Sequence, residues 1–255
     1  MTDLRTNRVL FVWLLLAGLF GSLIGVPWAI AVLRHPAAGG PADPRVVWLW
    51  AVAEALLLLA PASAVGVWLG NEVGLGPRLL RELLSRMPGG RAHLRRGLLP
   101  TTLVGLTAGV LGFLSQNSIP PSALLPGLDN PNTFEILLRA LGAALTEEIL
   151  FRLGLMTFFV WVIRSVVKRP AIHVPSLWIG NVLAALVFAA AHFPQLTFFQ
   201  THAWCLLIPF VMVSGGAAMI MGWLYMRYSL ISAIVAHFIV DLVVYVIPRL
   251  LAAIA

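Results

Sequence analysis

Long apolar runs, broken at intervals by arginine, glycine and proline, set the pattern of this chain. Seven of them can cross a hydrocarbon core of about 30 Å at about 1.5 Å per residue. They cover residues 9–33, 47–69, 98–114, 134–163, 176–193, 204–226 and 229–248. The pattern predicts an all-α fold, a polytopic transmembrane bundle of seven spanning helices, or eight. The first run exceeds the apolar region of a cleavable signal peptide and shows no clear small-residue cleavage site, so it reads as a retained helix. Between the second and third runs, Leu79, Leu80, Leu83, Leu84 and Met87 recur at helical spacing, with Arg78, Arg81, Glu82 and Arg86 among them. That spacing predicts a short amphipathic helix at the membrane surface; a solvated basic linker is the plainer alternative.

Composition narrows the class. The chain is 60% hydrophobic and 11% charged, against about 25% charged for a soluble domain. Its net charge of +7 does not point to nucleic acid, because the basic residues sit in short loops between apolar runs rather than on one soluble face. Arg5 and Arg8 precede the first run, and Arg78, Arg81, Arg86, Arg91, Arg95 and Arg96 fill the second loop. Residues 115–133 carry no Lys or Arg, Arg164, Lys168 and Arg169 follow the fourth run, the fifth loop has none, and Arg227 marks the sixth. By the positive-inside rule this alternation predicts a multi-pass protein of the cell (inner or plasma) membrane with a cytoplasmic N-terminus. Arg34 and Arg45 in the first loop run against it. The single cysteine, Cys205, excludes an intrachain disulfide and a cysteine metal cluster, and no basic neighbour in sequence supports it as a nucleophile.

The candidate chemistry lies in the few ionisable groups inside the predicted spans: Glu54, Arg139, Glu147, Glu148, Arg152, His192, His237 and Asp241. Each charged one costs roughly 2.5–3.5 kcal/mol at a helix centre, so such residues are functional candidates by default. In "EEILFR", Glu148 and Arg152 are four apart and share a helix face, with the acid N-terminal to the base. Glu147 lies about 100° away and has no partner at that spacing, which leaves it as a general base. In "FAAAH", His192 follows small residues that let another helix approach closely. In "HFIVD", His237 and Asp241 are four apart, so the acid can orient the imidazole. Individually these read as packing or interhelical contacts. Together they lie on three helices, must face the bundle interior, and supply the parts for amide hydrolysis. On these boundaries Glu147 sits mid-helix and His192 near a helix end, a mismatch in depth. There is no H-E-x-x-H, no G-x-S-x-G and no second aspartate within a span.

In this order on successive helices, the three segments resemble the E-E-x-x-x-R, F-x-x-x-H and H-x-x-x-N/D motifs of the CPBP family. That family comprises CAAX-type prenyl endopeptidases and bacteriocin-processing or abortive-infection proteins. The resemblance covers roughly residues 134–246 and implies an intramembrane endopeptidase core within residues 134–255. Hydropathy and loop charge, not the resemblance, give the N-terminal spanning helices of residues 1–133 and their basic cytoplasmic segment near 78–96; those helices carry no family signature. The resemblance also implies Glu147 as base, His192 sharing the catalytic water, Glu148 and Arg152 as supports, and His237 with Asp241 as oxyanion site or second ligand pair. Many relatives have Asn where this chain has Asp241, and an ionised carboxylate cannot donate a hydrogen bond. The family is described as metalloproteases, yet a metal-free glutamate mechanism has also been argued for it. A divalent metal such as zinc, held among Glu147, His192, His237 and Asp241, therefore stays open beside the metal-free route.

The partners expected are a peptide or membrane-protein substrate and the lipid bilayer, with no nucleic acid and no stated oligomer. Two other functions compete: a non-proteolytic immunity or scaffold protein, and a proton-coupled transporter relaying through Glu54, Glu147 and Glu148. Glu54 has no assigned role; it could pair with Arg139 or Arg152, or line a cavity.

Overall fold

A computed structural model describes residues 4–34, 43–87, 89–116, 131–192, 204–252 and 254, with side chains outside the description at 116, 204–210 and 252. Among the described residues there are eight helices and no strand. They are α1 (Leu4–Leu33), α2 (Pro44–Val73), α3 (Arg78–Leu84), α4 (Gly90–Gln116), α5 (Thr133–Val167), α6 (His173–Ala191), α7 (Trp204–Arg227) and α8 (Leu230–Leu251). Among the described residues, α1, α2, α4, α5, α6 and α8 are long and apolar enough, by length and composition, to cross a membrane. α7, at 24 residues, has the length of a seventh span, about 36 Å. The third loop falls largely, and the fifth loop and Cys205 side chain wholly, outside the described residues.

The helix ends follow their capping residues. Asp43 accepts from the Arg45 amide ahead of α2, Asn132 and Glu135 form a reciprocal capping box on α5, and Ser229 caps α8. These side chains satisfy amide donors that a helix start leaves unpaired. Two boundaries differ most from the sequence pattern. The amphipathic stretch is a helix only over Arg78–Leu84, ended at Arg86 and Gly89, which take positive φ of 50° and 104°. α4 then starts at Gly90, so Arg91, Arg95 and Arg96 ride on its first turns instead of in a loop. Hydropathy missed that start because a helix projecting from an apolar layer carries polar residues there.

α5 is the hub: α1, α2, α6, α7 and α8 all pack on it, whereas α4 lies outside against α8. The core joins Leu10 and Leu14 of α1, Leu59 and Val67 of α2, Ile149, Leu153 and Met156 of α5, and Leu224 of α7. α1 is apolar on every side: Leu10, Leu14, Gly18 and Gly21 face inward, while Val12, Trp13, Leu16 and Phe20 are exposed. A helix that meets lipid outside and protein inside has no polar face to mark its orientation. The inward stripe is set by size. A Cβ on Gly142 would stand 2.5 Å from the Gly21 carbonyl oxygen, so α1 and α5 touch backbone to backbone, as small residues allow in membranes.

Candidate active site

α5 carries Arg139, Glu147, Glu148 and Arg152, α6 ends at His192, and α8 carries His237 and Asp241. The mismatch in depth between Glu147 and His192 disappears with the true helix ends. Twenty residues separate Glu147 from Val167 at the end of α5, and nineteen separate His173 at the start of α6 from His192. Running down one helix and back up the next therefore returns the chain to the same level. α5 simply extends past α6 at its other end.

Three stretches of π-helix occur among the described residues, and each touches one of the intramembrane acids. Ala55–Leu59 follows Glu54, Glu148–Met156 follows Glu147, and Leu242–Val246 follows Asp241. The i→i+5 register re-aims the side chains around it and is frequent at functional sites.

The two adjacent glutamates have different surroundings. Glu148 is fully buried, whereas the Glu147 side chain keeps 15% exposure and is the one a substrate can approach. One oxygen of Glu148 lies 3.1 Å from Arg152 Nε, and the other accepts from His237 Nδ1 at 2.7 Å. Arg152 also donates to the Ala218 carbonyl at 2.9 Å and stacks over the Phe188 ring at 4.9 Å. The salt bridge is not a well-aligned hydrogen bond, so Glu148 Oε2 and Arg152 Nη1 are left without a bonding partner.

Glu147 corrects the sequence reading. It is not unpaired: its Oε1 accepts from Arg139 Nη2 at 2.9 Å. The two are eight residues apart on α5, about 12 Å of rise and 80° of rotation, a separation the i+3 and i+4 rule does not search. The second oxygen, Oε2, faces His192 Nε2 at 3.8 Å and His237 Nε2 at 3.7 Å. Asp241 Oδ2 lies 3.9 Å from the same His237 nitrogen.

The other ring nitrogens fix what these two can do. His192 Nδ1 sits 2.8 Å from the Phe188 carbonyl. A carbonyl only accepts, so Nδ1 carries the proton and, in the neutral ring, Nε2 is the base. His237 Nδ1 likewise points at a carboxylate, which locks that ring by a charge-assisted bond. The outcome is one carboxylate oxygen, Glu147 Oε2, facing two imidazole nitrogens at distances that a single water can bridge. Phe188 lies beside them, its ring 4.3 Å from that of His192. Glu54, from α2, lies beside Ser22 and within electrostatic reach of Arg139 and Glu147.

As a metal centre the donors do not fit. Among the described residues no three His, Cys, Asp or Glu side chains are grouped as ligands, and one Glu147 oxygen is already held by a guanidinium.

Residues 129–243 match the family model described as "Type II CAAX prenyl endopeptidase Rce1-like". No curated protein and no solved structure matches the chain. The matched segment contains Arg139, both glutamates, Arg152, both histidines and Asp241. Through that segment the chain is similar to the Rce1-like family of CAAX prenyl endopeptidases, within the CPBP group, and its long apolar helices fit a multi-pass membrane protein.

Proposed function

We propose that the protein hydrolyses a peptide bond inside its helix bundle, using a water activated by Glu147 and His192. The observation that carries this reading is the approach of Glu147 Oε2 to the Nε2 atoms of His192 and His237, at 3.8 and 3.7 Å, from three different helices. A water between Glu147 and His192 donates one hydrogen bond to each and is aimed at a carbonyl carbon. Glu147 takes a proton as the water oxygen bonds to that carbon, and the carbonyl oxygen becomes an oxyanion. In its imidazolium form His237 keeps its bond to Glu148 and donates from Nε2 to the oxyanion. Collapse breaks the C–N bond, and Glu147 returns its proton to the departing nitrogen, leaving a carboxylate and an amine. Glu148 and Arg152 hold His237 in place. Asp241 orients or electrostatically steadies the same ring; as a carboxylate it does not act as an oxyanion donor. Every step runs through side chains of the chain itself.

The substrate is a peptide or a segment of a membrane protein, reached from the bilayer, and the loop charges favour a cell membrane with the N-terminus in the cytoplasm. Profiling protein termini in membranes from cells carrying the wild type or Glu147→Ala tests the reading. Termini present only with the wild type support it. Identical termini, with both proteins inserted and folded, contradict it.

A further inference from the structure

Glu54 and Arg139 are the two intramembrane charges that the proposed chemistry does not use. They meet at one place. Arg139 donates to the Glu147 oxygen that does not face the histidines, and its guanidinium carbon lies over the Trp28 ring, 5.3 Å from the centroid. Glu54 brings a second carboxylate into its electrostatic range, beside Ser22. Trp28 and Ser22 belong to α1 and Glu54 to α2, both outside the matched residues 129–243.

The packing explains how two apolar helices deliver these groups. Gly21 and Gly25 are four apart on the face of α1 that meets α5. A Cβ on Gly21 would stand 2.9 Å from Thr146, the neighbour of Glu147, and one on Gly25 would stand 4.0 Å from Arg139 Cδ. Close approach at Gly21 brings α1 to the level of the site, and Trp28, two turns past Gly21, then covers Arg139. On α2 the π-helix that begins right after Glu54 repeats the arrangement found after Glu147 and Asp241.

We propose that Arg139 is a positioning residue for Glu147, held in place by Trp28 of α1 and Glu54 of α2. The inference rests on the hydrolytic reading given above. By fixing one oxygen of Glu147, Arg139 sets the plane of the carboxylate and aims the other at the two histidines. A guanidinium suits this task because its rigid fork can bond one carboxylate and stack on an indole at once. Glu54, within electrostatic reach of Arg139, adds negative charge that helps to hold the cation. The N-terminal helices are thereby part of the catalytic apparatus, acting through Arg139 without touching substrate.

The test uses the full-length protein in membranes and, as substrate, a synthetic peptide spanning the strongest Glu147-dependent cut found by terminus profiling. Arg139→Met lowers kcat about 100-fold, the scale of an ångström-level misplacement, with KM within about twofold. Arg139→Lys recovers turnover to within about tenfold of the wild type, since the cation is kept and the fork is lost. Glu54→Gln and Trp28→Leu each lower kcat about tenfold, in the range of supporting partners. Neither lowers it further in the Arg139→Met background, because they act through the same residue. Thermal unfolding of each variant in detergent reports folding, and if Arg139→Met does not fold, Arg139→Lys and the two partner variants carry the comparison. A wild-type kcat in Arg139→Met, or in both partner variants, overturns the proposal, as does full additivity with Arg139→Met. If Glu147→Ala removes no termini, the hydrolytic reading itself falls. If Glu147→Ala removes them and Arg139→Met does not, only the positioning role falls.

Discussion

Two polar regions lie along α5, and they are built in opposite ways. At the Val167 end, Arg164 donates to the carbonyls of Val73 and His173 at 3.0 and 2.9 Å and to the Ser176 hydroxyl at 2.9 Å. Nearby, the Tyr225 hydroxyl bonds the Leu75 carbonyl, and Trp161 donates to Glu72 at 2.9 Å. Most of these donors end on main-chain carbonyls at helix termini, so the region ties the ends of α2, α5 and α6 together. Midway along α5 the partners are other ionisable side chains: Arg139 with Glu147, Arg152 and His237 with Glu148, two imidazoles facing one carboxylate oxygen. Bonds to carbonyls satisfy orphan backbone groups and hold shape. Bonds among acids, bases and imidazoles can exchange protons. Position on the same helix thus tells little about role; the nature of the partner tells more.

The contrast can be broken from either side. Glu147→Gln should produce the largest effect, a loss of cleavage of about 100-fold or more with little change in unfolding temperature, read by terminus profiling beside a thermal melt. Glu148→Ala should cross the two categories. It leaves Arg152 and His237 buried without their anion and should cost about 3–5 kcal/mol of stability as well as activity, visible as loss of folded protein in detergent. Arg164→Ala should cost about 1–2 kcal/mol through its unsatisfied carbonyls, while activity per folded molecule stays unchanged. The smallest effect belongs to Asp241→Asn: its carboxylate is 3.9 Å from His237, too far for a direct bond, and turnover should stay within about threefold. A large loss there would move Asp241 from steadying the ring to acting in the reaction.

Much of the fold was legible because membrane spans are written in hydropathy, and the seven runs correspond to seven long helices. The Glu148–Arg152 pair was legible because four residues make one helical turn. Three features were not. The Arg139–Glu147 bond spans eight residues, a reach that comes from the length of an arginine rather than from helix period. The π-helical stretches after Glu54, Glu147 and Asp241 have no sequence signature that marks them. The placement of Glu54 depended on how α2 docks, and a helix that is greasy on all sides does not announce which face turns inward. The level of His192 was hidden for a simpler reason: hydropathy gave the fifth run a start three residues late and could not show that α5 overshoots its neighbour.

The most direct test of the account is the paired comparison of Glu147→Gln and Arg164→Ala by terminus profiling in native membranes. The account predicts that Glu147→Gln, fully folded, loses the protein-dependent termini, while Arg164→Ala, less stable, retains them in proportion to the protein that remains folded. Wild-type termini from folded Glu147→Gln would contradict it.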